Sequence, residues 1–207
     1  MTPTLETPRL LLRPLALADA EQIQGIFPQW EIVRHLAAQV PWPYPSDGAY
    51  KFIRDIALPA MERGEAWQWT LRLKTAPEQI IGAIDLRTKE NENRGFWLGL
   101  PWQGQGLMSD ACEVVTDFWF EGLKFPVLRA PKSVQNAASR RISEKQGMRM
   151  IGIEERDYVS GRFPSEIWEI TAEEWRAPAS SAAERTRSFG RSATKKALSW
   201  ESASLEL

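Results

Sequence analysis

Two glycines, Gly104 and Gly106, separate a stretch that reads as a buried strand from one that reads as an amphipathic helix. That junction limits the possible architectures more than any other part of the 207-residue chain. Upstream, Gly95-Phe96-Trp97-Leu98-Gly99-Leu100 is apolar at successive positions, the pattern of a strand covered on both faces. Downstream, Leu107, Ala111, Val114 and Phe118 share one helical stripe and Asp110, Glu113, Asp117 and Glu121 the other, predicting a helix from about Leu107 to Gly122. A strand covered on both sides that runs into a helix requires helices packed on a sheet, an α+β or mixed α/β arrangement.

The connecting loop has a chemistry of its own. Across Trp102-Gln103-Gly104-Gln105-Gly106-Leu107-Met108-Ser109-Asp110 the glycines let the backbone turn sharply and approach a ligand without Cβ interference. The free amides of the helix's first turn then converge on one small space, where the helix dipole favours an anion. A pyrophosphate suits such a space, with the Ser109 hydroxyl as a further donor. The alternative is an ordinary glycine-containing turn. The loop has neither the lysine and spacing of a P-loop nor the six-residue glycine pattern of a dinucleotide fold.

Around this junction the periodicities predict strands at Arg9–Arg13, Trp67–Leu73, Ile80–Leu86, Val127–Ala130, Met150–Ile153 and Ile167–Ile170. Helices are expected from Ala18 onward, over Trp30–Ala38, from the Ser46-Asp47 cap to about Arg63, and from Asn136 to Gly147. Pro41-Trp42-Pro43-Tyr44-Pro45 is a loop, because proline removes amide donors. From Ala177 the texture changes: the last 31 residues hold seven serines and seven alanines with little apolar periodicity, which reads as a disordered tail, residues 177–207, after a domain of residues 1–176.

Charge and rare residues narrow the function. With 26 basic against 27 acidic residues there is no basic excess to suggest nucleic acid or a membrane surface as partner. Cys112 is the single cysteine and His35 the single histidine, which excludes an internal disulfide, multi-cysteine zinc sites and two-histidine metal motifs. No metal is expected. The start lacks the charged and apolar regions of a secretory signal, and no run approaches the roughly 18 apolar residues of a membrane span, so a cytoplasmic setting is expected. The ten tryptophans are read as core and helix–sheet packing, with a few lining an apolar groove.

A second constellation lies in Asn136-Ala137-Ala138-Ser139-Arg140-Arg141-Ile142-Ser143-Glu144-Lys145-Gln146-Gly147-Met148. Asn136 and Ser139, three apart, share one side of a helix start. By itself this is a capping asparagine and an incidental serine. Together with the glycine loop, the opening Thr7-Pro8-Arg9-Leu10-Leu11-Leu12-Arg13 and the ending Trp168-Glu169-Ile170-Thr171-Ala172-Glu173-Glu174-Trp175, it resembles the GNAT acetyltransferase superfamily, specifically the ribosomal-protein N-acetyltransferase (RimJ/RimL-like) branch. The resemblance covers about residues 7 to 176.

It implies a central, mostly antiparallel, twisted sheet of about seven strands flanked by about four helices, acetyl-CoA as donor, and acetylation of an amine by direct attack. The thioester would lie along Trp97, Leu98 and Gly99, the pyrophosphate at Gln103–Ser109, and Asn136 would hold the pantetheine arm. Ser139 would hydrogen-bond or protonate the leaving thiolate. The sequence departs from the family at Met108, usually Gly or Ala; at Asn93, where many relatives carry glutamate; at Ser143, a tyrosine in some branches; and at Met148, usually phenylalanine. The general base stays open among Asp85, Glu90, Glu92 and water. Cys112, in a helix interior, is not a nucleophile, and His35 is structural or lines the pocket. The acceptor is a protein N-terminus, a small amine or an amine-bearing antibiotic, and the chain a monomer or homodimer. Two other classes compete: an acyl-CoA-binding module without turnover, and an interaction protein acting through its basic, serine-rich tail.

Overall fold

The period-2 apolar segments become eight strands in the computed structural model, which describes residues 1–177. A short β1 (Leu5–Glu6) precedes β2 (Leu10–Pro14), β3 (Ala66–Leu73), β4 (Gly82–Arg87) and β5 (Arg94–Leu98), which form one antiparallel sheet in the order β1-β2-β3-β4-β5. The remaining strands, β6 (Val127–Ser133), β7 (Arg149–Tyr158) and β8 (Gly161–Thr171), form a second antiparallel sheet in the order β6-β8-β7. The expected sheet is thus divided, and the two parts meet between β5 and β6. Residues 178–207 lie outside the description, and with them nearly all of the expected tail.

Helices cover both faces of the first sheet. On one face, α1 (Ala20–Ile26), α2 (Trp30–Val33), α3 (Gly48–Phe52) and α4 (Leu58–Glu62), the last two joined by a wider turn, enclose Ile23, Phe27, Val33, Ile53 and Ile80. On the other, α5 (Leu107–Asp117) packs Ala111, Cys112 and Val115 on Leu10, Leu12, Trp69, Leu71 and Ile84. Each large side chain buried in this way contributes about 1.5 to 3 kcal/mol. α6 (Ala137–Lys145) follows β6, and α7 (Ala172–Arg176) is closed by a capping box between Thr171 and Glu174. A buried ion pair, Arg72 to Asp19 at 2.7 Å, ties β3 to the entry of α1. None of the helices described is long and apolar enough to cross a membrane.

Several local expectations shift; β8 begins at Gly161, six residues before the expected Ile167. The helix expected over Trp30–Ala38 stops at Val33, because the following backbone pairs with a hairpin: Val159 N–H donates to Leu36 at 3.0 Å and Ala38 N–H to Asp157 at 3.1 Å. β7 runs five residues beyond the expected strand, through Glu154-Glu155-Arg156-Asp157. This edge strand is mostly exposed and needs no apolar alternation, so periodicity does not reveal its length. On α5 the buried stripe is rotated slightly, toward Met108, Cys112 and Val115, while Val114 and Phe118 stay half-buried.

Candidate active site

The site begins where the two sheets part. Asn93, just before β5, donates its backbone N–H to the Arg129 carbonyl on β6 at 2.7 Å, and its side-chain oxygen accepts from the Arg129 N–H at 2.8 Å. Its amide nitrogen donates to the Arg87 and Lys89 carbonyls, so Asn93 is a buried pin rather than an acid–base group. Further along, Phe96 of β5 faces Lys132 of β6 at the same 36-residue offset, so the strands run in the same direction. They are not paired beyond the pin, and a wedge opens between them.

The edge of β5 that faces this wedge follows from its pairing with β4. Arg87 N–H bonds the Asn93 carbonyl and Gly99 N–H the Ile81 carbonyl, so alternation turns the backbone of Gly95, Trp97 and Gly99 toward β4. Phe96 and Leu98 turn theirs to the wedge, and the Leu98 carbonyl accepts from Gln103 Nε2 at 2.8 Å. Of the expected thioester-binding residues Trp97, Leu98 and Gly99, only Leu98 therefore presents backbone to the gap. The Trp97 ring instead lies edge-on to Phe27, 5.2 Å between centroids, in the second core.

The glycine loop joins β5 to α5. Gly104 and Gly106 adopt φ +74° and +77°, which L-residues with a Cβ adopt only at a cost, and Gly106 is the N-cap of α5. Ser109 and Asp110 N–H groups bond back to the Gly106 carbonyl. The amides of Gly104, Gln105, Gly106, Leu107 and Met108 have no partner among the described residues, which is the open set an anion needs. The Leu107 and Met108 side chains point into the core, so the bulk of Met108 is directed away from the loop. Arg9, before β2, braces the loop from outside: its guanidinium donates to the Gln105 carbonyl and to Asp110, both at 2.8 Å. Sequence reasoning had not assigned Arg9 a function.

At the other end of β5 the wedge opens into a cavity of about 440 Å³. Asn136 and Ser139 both line it, as their spacing predicts. Asn136 is the N-cap of α6: its Oδ1 accepts from the Ser139 N–H at 3.0 Å. The buried Ser139 Oγ accepts a hydrogen bond from Lys132 Nζ at 3.0 Å. Ser143, one turn on, is fully buried and its hydroxyl has no partner among the described residues. β6 runs to Ser133, past the expected end at Ala130, and so carries Lys132 into the site. The available signal was period two: Leu128, Ala130 and Lys132 share the inward face.

The candidate bases separate. Asp85 is paired with Arg87 at 2.6 Å and does not line the cavity. Glu92 lines it, but although burial raises its carboxyl, Lys89 and Arg156 outweigh that and hold it below the usual range. Glu90 lines the rim. His35 also faces the cavity, with Nδ1 buried and without a partner among the described residues; burial and then Arg34 lower its pKa, so the imidazole is neutral at pH 7. Cys112 is wholly buried, with its thiol pushed up by burial. Among the described residues no group of three or more His, Cys, Asp or Glu is placed to hold a metal ion.

Comparison with known proteins agrees with this geometry. The model of the acetyltransferase (GNAT) domain matches residues 9–149. The chain is 25% identical over 156 residues to the Probable N-acetyltransferase YjcK of Bacillus subtilis (strain 168), covering 70% of this chain and 82% of that protein. Among solved structures, ribosomal-protein-S5-alanine acetyltransferase from Vibrio fischeri superposes with a TM-score of 0.70 at 16% identity, over 84% of this chain and 100% of that one. RimL, a ribosomal L7/L12 α-N-protein acetyltransferase solved in complex with coenzyme A, gives 0.70 at 16% identity, over 83% and 99%. With the family model covering most of the chain, the protein belongs to the GNAT acetyltransferase family and is an acyltransferase.

Proposed function

We propose that the chain transfers the acetyl group of acetyl-CoA to a primary amine by direct attack. The observation that carries this reading is the unpaired edge of β5, which runs from the open amides of the glycine loop to the cavity holding Ser139 and Asn136. An extended thioester has its pyrophosphate at the amides of Gly104 to Met108, its pantetheine along Leu98 and Asn136, and its carbonyl at the wedge. There the edge N–H groups of β5 stabilise the oxyanion. The Nδ2 of Asn136 is the group left for the pantetheine once Oδ1 caps α6. Ser139 protonates the departing thiolate. The attacking nitrogen loses its proton into the cavity, where the neutral His35 imidazole and water accept it.

The acceptor is a protein N-terminus or a small amine, and the test is turnover of acetyl-CoA against both classes with detection of free thiol. Release of thiol only when an amine is present supports transfer. Binding of acetyl-CoA without release under every acceptor favours a non-catalytic acyl-CoA-binding module.

Binding itself has an expected signature. Acetyl-CoA at a hundredfold excess over Kd stabilises the chain by about 2.7 kcal/mol, read as a raised melting temperature. Gly104→Asp, which sets a carboxylate against the pyrophosphate, and Gly106→Pro, which cannot adopt the left-handed φ, both abolish the rise. A rise unchanged in both variants places the ligand elsewhere. We also propose that residues 177–207 are dispensable: truncation after Arg176 should leave this rise and turnover intact. Unfolding on truncation would make the segment part of the domain.

A further inference from the structure

The proposed reaction leaves a buried lysine without a role. Lys132 is 4% exposed, its Nζ lies 3.0 Å from Ser139 Oγ, and it sits 5.5 Å from the centroid of the Phe96 ring. Its cross-strand neighbour on β8 is Glu166, but that carboxylate is already held by the Arg140 guanidinium and by the Trp168 indole N–H at 2.9 Å. From β5 it is faced by Arg94, a second buried cation, which donates to Thr116 at 2.7 Å. From α5 it is faced by the Cys112 thiol, and from α6 by Ser139. Neither Lys132 nor Arg94 has a carboxylate within ion-pair distance among the described residues. The other titratable groups of the cavity are His35, Glu90, Glu155, Asp157, Tyr158, Arg87 (paired with Asp85 outside the cavity), and the cluster Lys89–Glu92–Arg156.

An ammonium held in this way gives up its proton readily. Burial, and then the charge of Arg94, push Lys132 down to about 7, only partly offset by Cys112 and Glu166. A buried lysine hydrogen-bonded to a hydroxyl, and to no anion, is an arrangement for moving a proton rather than for holding strands together.

We propose that Lys132 is a positioning residue that keeps Ser139 supplied with the proton taken by the leaving thiolate. This rests on the reading of Ser139 given above. As the C–S bond breaks, its electron pair goes to sulfur, which takes the Ser139 hydroxyl proton. The Lys132 ammonium replaces that proton, so the hydroxyl is restored and Lys132 is left as a neutral amine. The attacking nitrogen, on forming the C–N bond, releases one proton to the cavity, and Lys132 takes one back from cavity water before the next turnover. The net result is one proton moved from amine to thiol.

The test is kcat of the full chain at saturating acetyl-CoA and amine from pH 5.5 to 9, for the parent, Lys132→Met, Lys132→Arg and Ser139→Ala. In the parent, kcat falls on the basic side as Lys132 discharges near pH 7. Lys132→Met is expected to lose at least about tenfold in kcat, less than a direct acid–base contribution of about 10²-fold because Ser139 still donates, and to lose this basic limb. Lys132→Arg keeps a permanent charge but cannot give up a proton, so it is slow like Lys132→Met and also loses the basic limb. On a Ser139→Ala background, Lys132→Met costs nothing further, because the two act as one unit. The acetyl-CoA-induced rise in melting temperature shows that each variant is folded; if Lys132→Met lacks it, Lys132→Arg decides, and a retained limb overturns the proposal. A slow Ser139→Ala beside a Lys132→Met with the parent's rate and profile overturns the role of Lys132 while leaving that of Ser139. A Ser139→Ala at the parent rate removes both. Acetylated Lys132 after acetyl-CoA alone would make it an acceptor instead, and also overturns the proposal.

Discussion

Ser139→Ala is expected to lower kcat about 10²-fold, with the KM for acetyl-CoA close to that of the parent. The hydroxyl is buried on the cavity wall and already accepts one hydrogen bond, from Lys132, so its own proton is free to point at a leaving sulfur. A bond to a developing thiolate strengthens only as the C–S bond breaks, and its loss therefore appears in kcat. Asn136→Ala should behave differently. It removes a bond made in ground and transition states alike, which raises the KM for acetyl-CoA. It also removes the 3.0 Å cap on the Ser139 N–H, at about 1 kcal/mol of stability. Steady-state kinetics on the two variants, with a denaturation curve for Asn136→Ala, separates these effects. If Ser139→Ala turns over at the parent rate, water protonates the thiolate and the serine is a helix residue.

Lys132→Met is expected to make the folded chain more stable at neutral pH, although the same change slows the reaction. A lysine in the unfolded chain titrates near its ordinary value, but in the fold Lys132 is pushed down to about 7. Between these two values the unfolded state binds the extra proton, so stability rises with pH across that window. At and below about pH 7 the folded chain carries the whole penalty, and above the unfolded value the penalty is gone. The full shift corresponds to about 5 kcal/mol, an upper bound because neighbours and water relax around the charge. Methionine fills a similar volume without charge. Urea unfolding at pH 6 and at pH 10 should therefore show the variant several kcal/mol above the parent at the lower pH, with the gap nearly closed at the higher. A variant less stable than the parent at pH 6 would mean that the hydrogen bond to Ser139 outweighs the buried charge. A site that holds an unpaired cation at the expense of stability fits a general pattern, in which function and stability compete for the same residues.

Several parts of this site were legible because they depend on local rules. The loop was visible in Gly104 and Gly106, since a left-handed turn before a helix needs residues without a Cβ. Asn136 could be placed at a helix start for the same kind of reason: a short polar side chain there caps an open amide. The double cover of β5 was visible in its unbroken apolar run, with Leu98 in one core and Trp97 packed against the other. Apart from Lys132, whose place the period of β6 carries, the other contacts of the site have no local signature. Arg9 braces a carbonyl 96 residues away, and Asn93 pins one strand to another 36 residues on. The extension of β7 through charged residues is set by its partner β8, because an exposed edge strand does not need alternation.

By itself, then, the sequence determined the order of most strands and helices, the apolar faces they bury, the backbone turn of the glycine loop and the family to which these belong. Those follow from period, turn chemistry and capping, all of which act within a few residues. Only the tertiary structure decided where the sheet divides, which edge of β5 stays unpaired, that Met108 turns its bulk inward and that His35 faces the cavity. It also brought Lys132 against Ser139 with no carboxylate to neutralise it. The pKa of a lysine and the availability of a hydroxyl depend on desolvation and on charges from other strands and helices. Those quantities are properties of three-dimensional surroundings and have no counterpart along the chain.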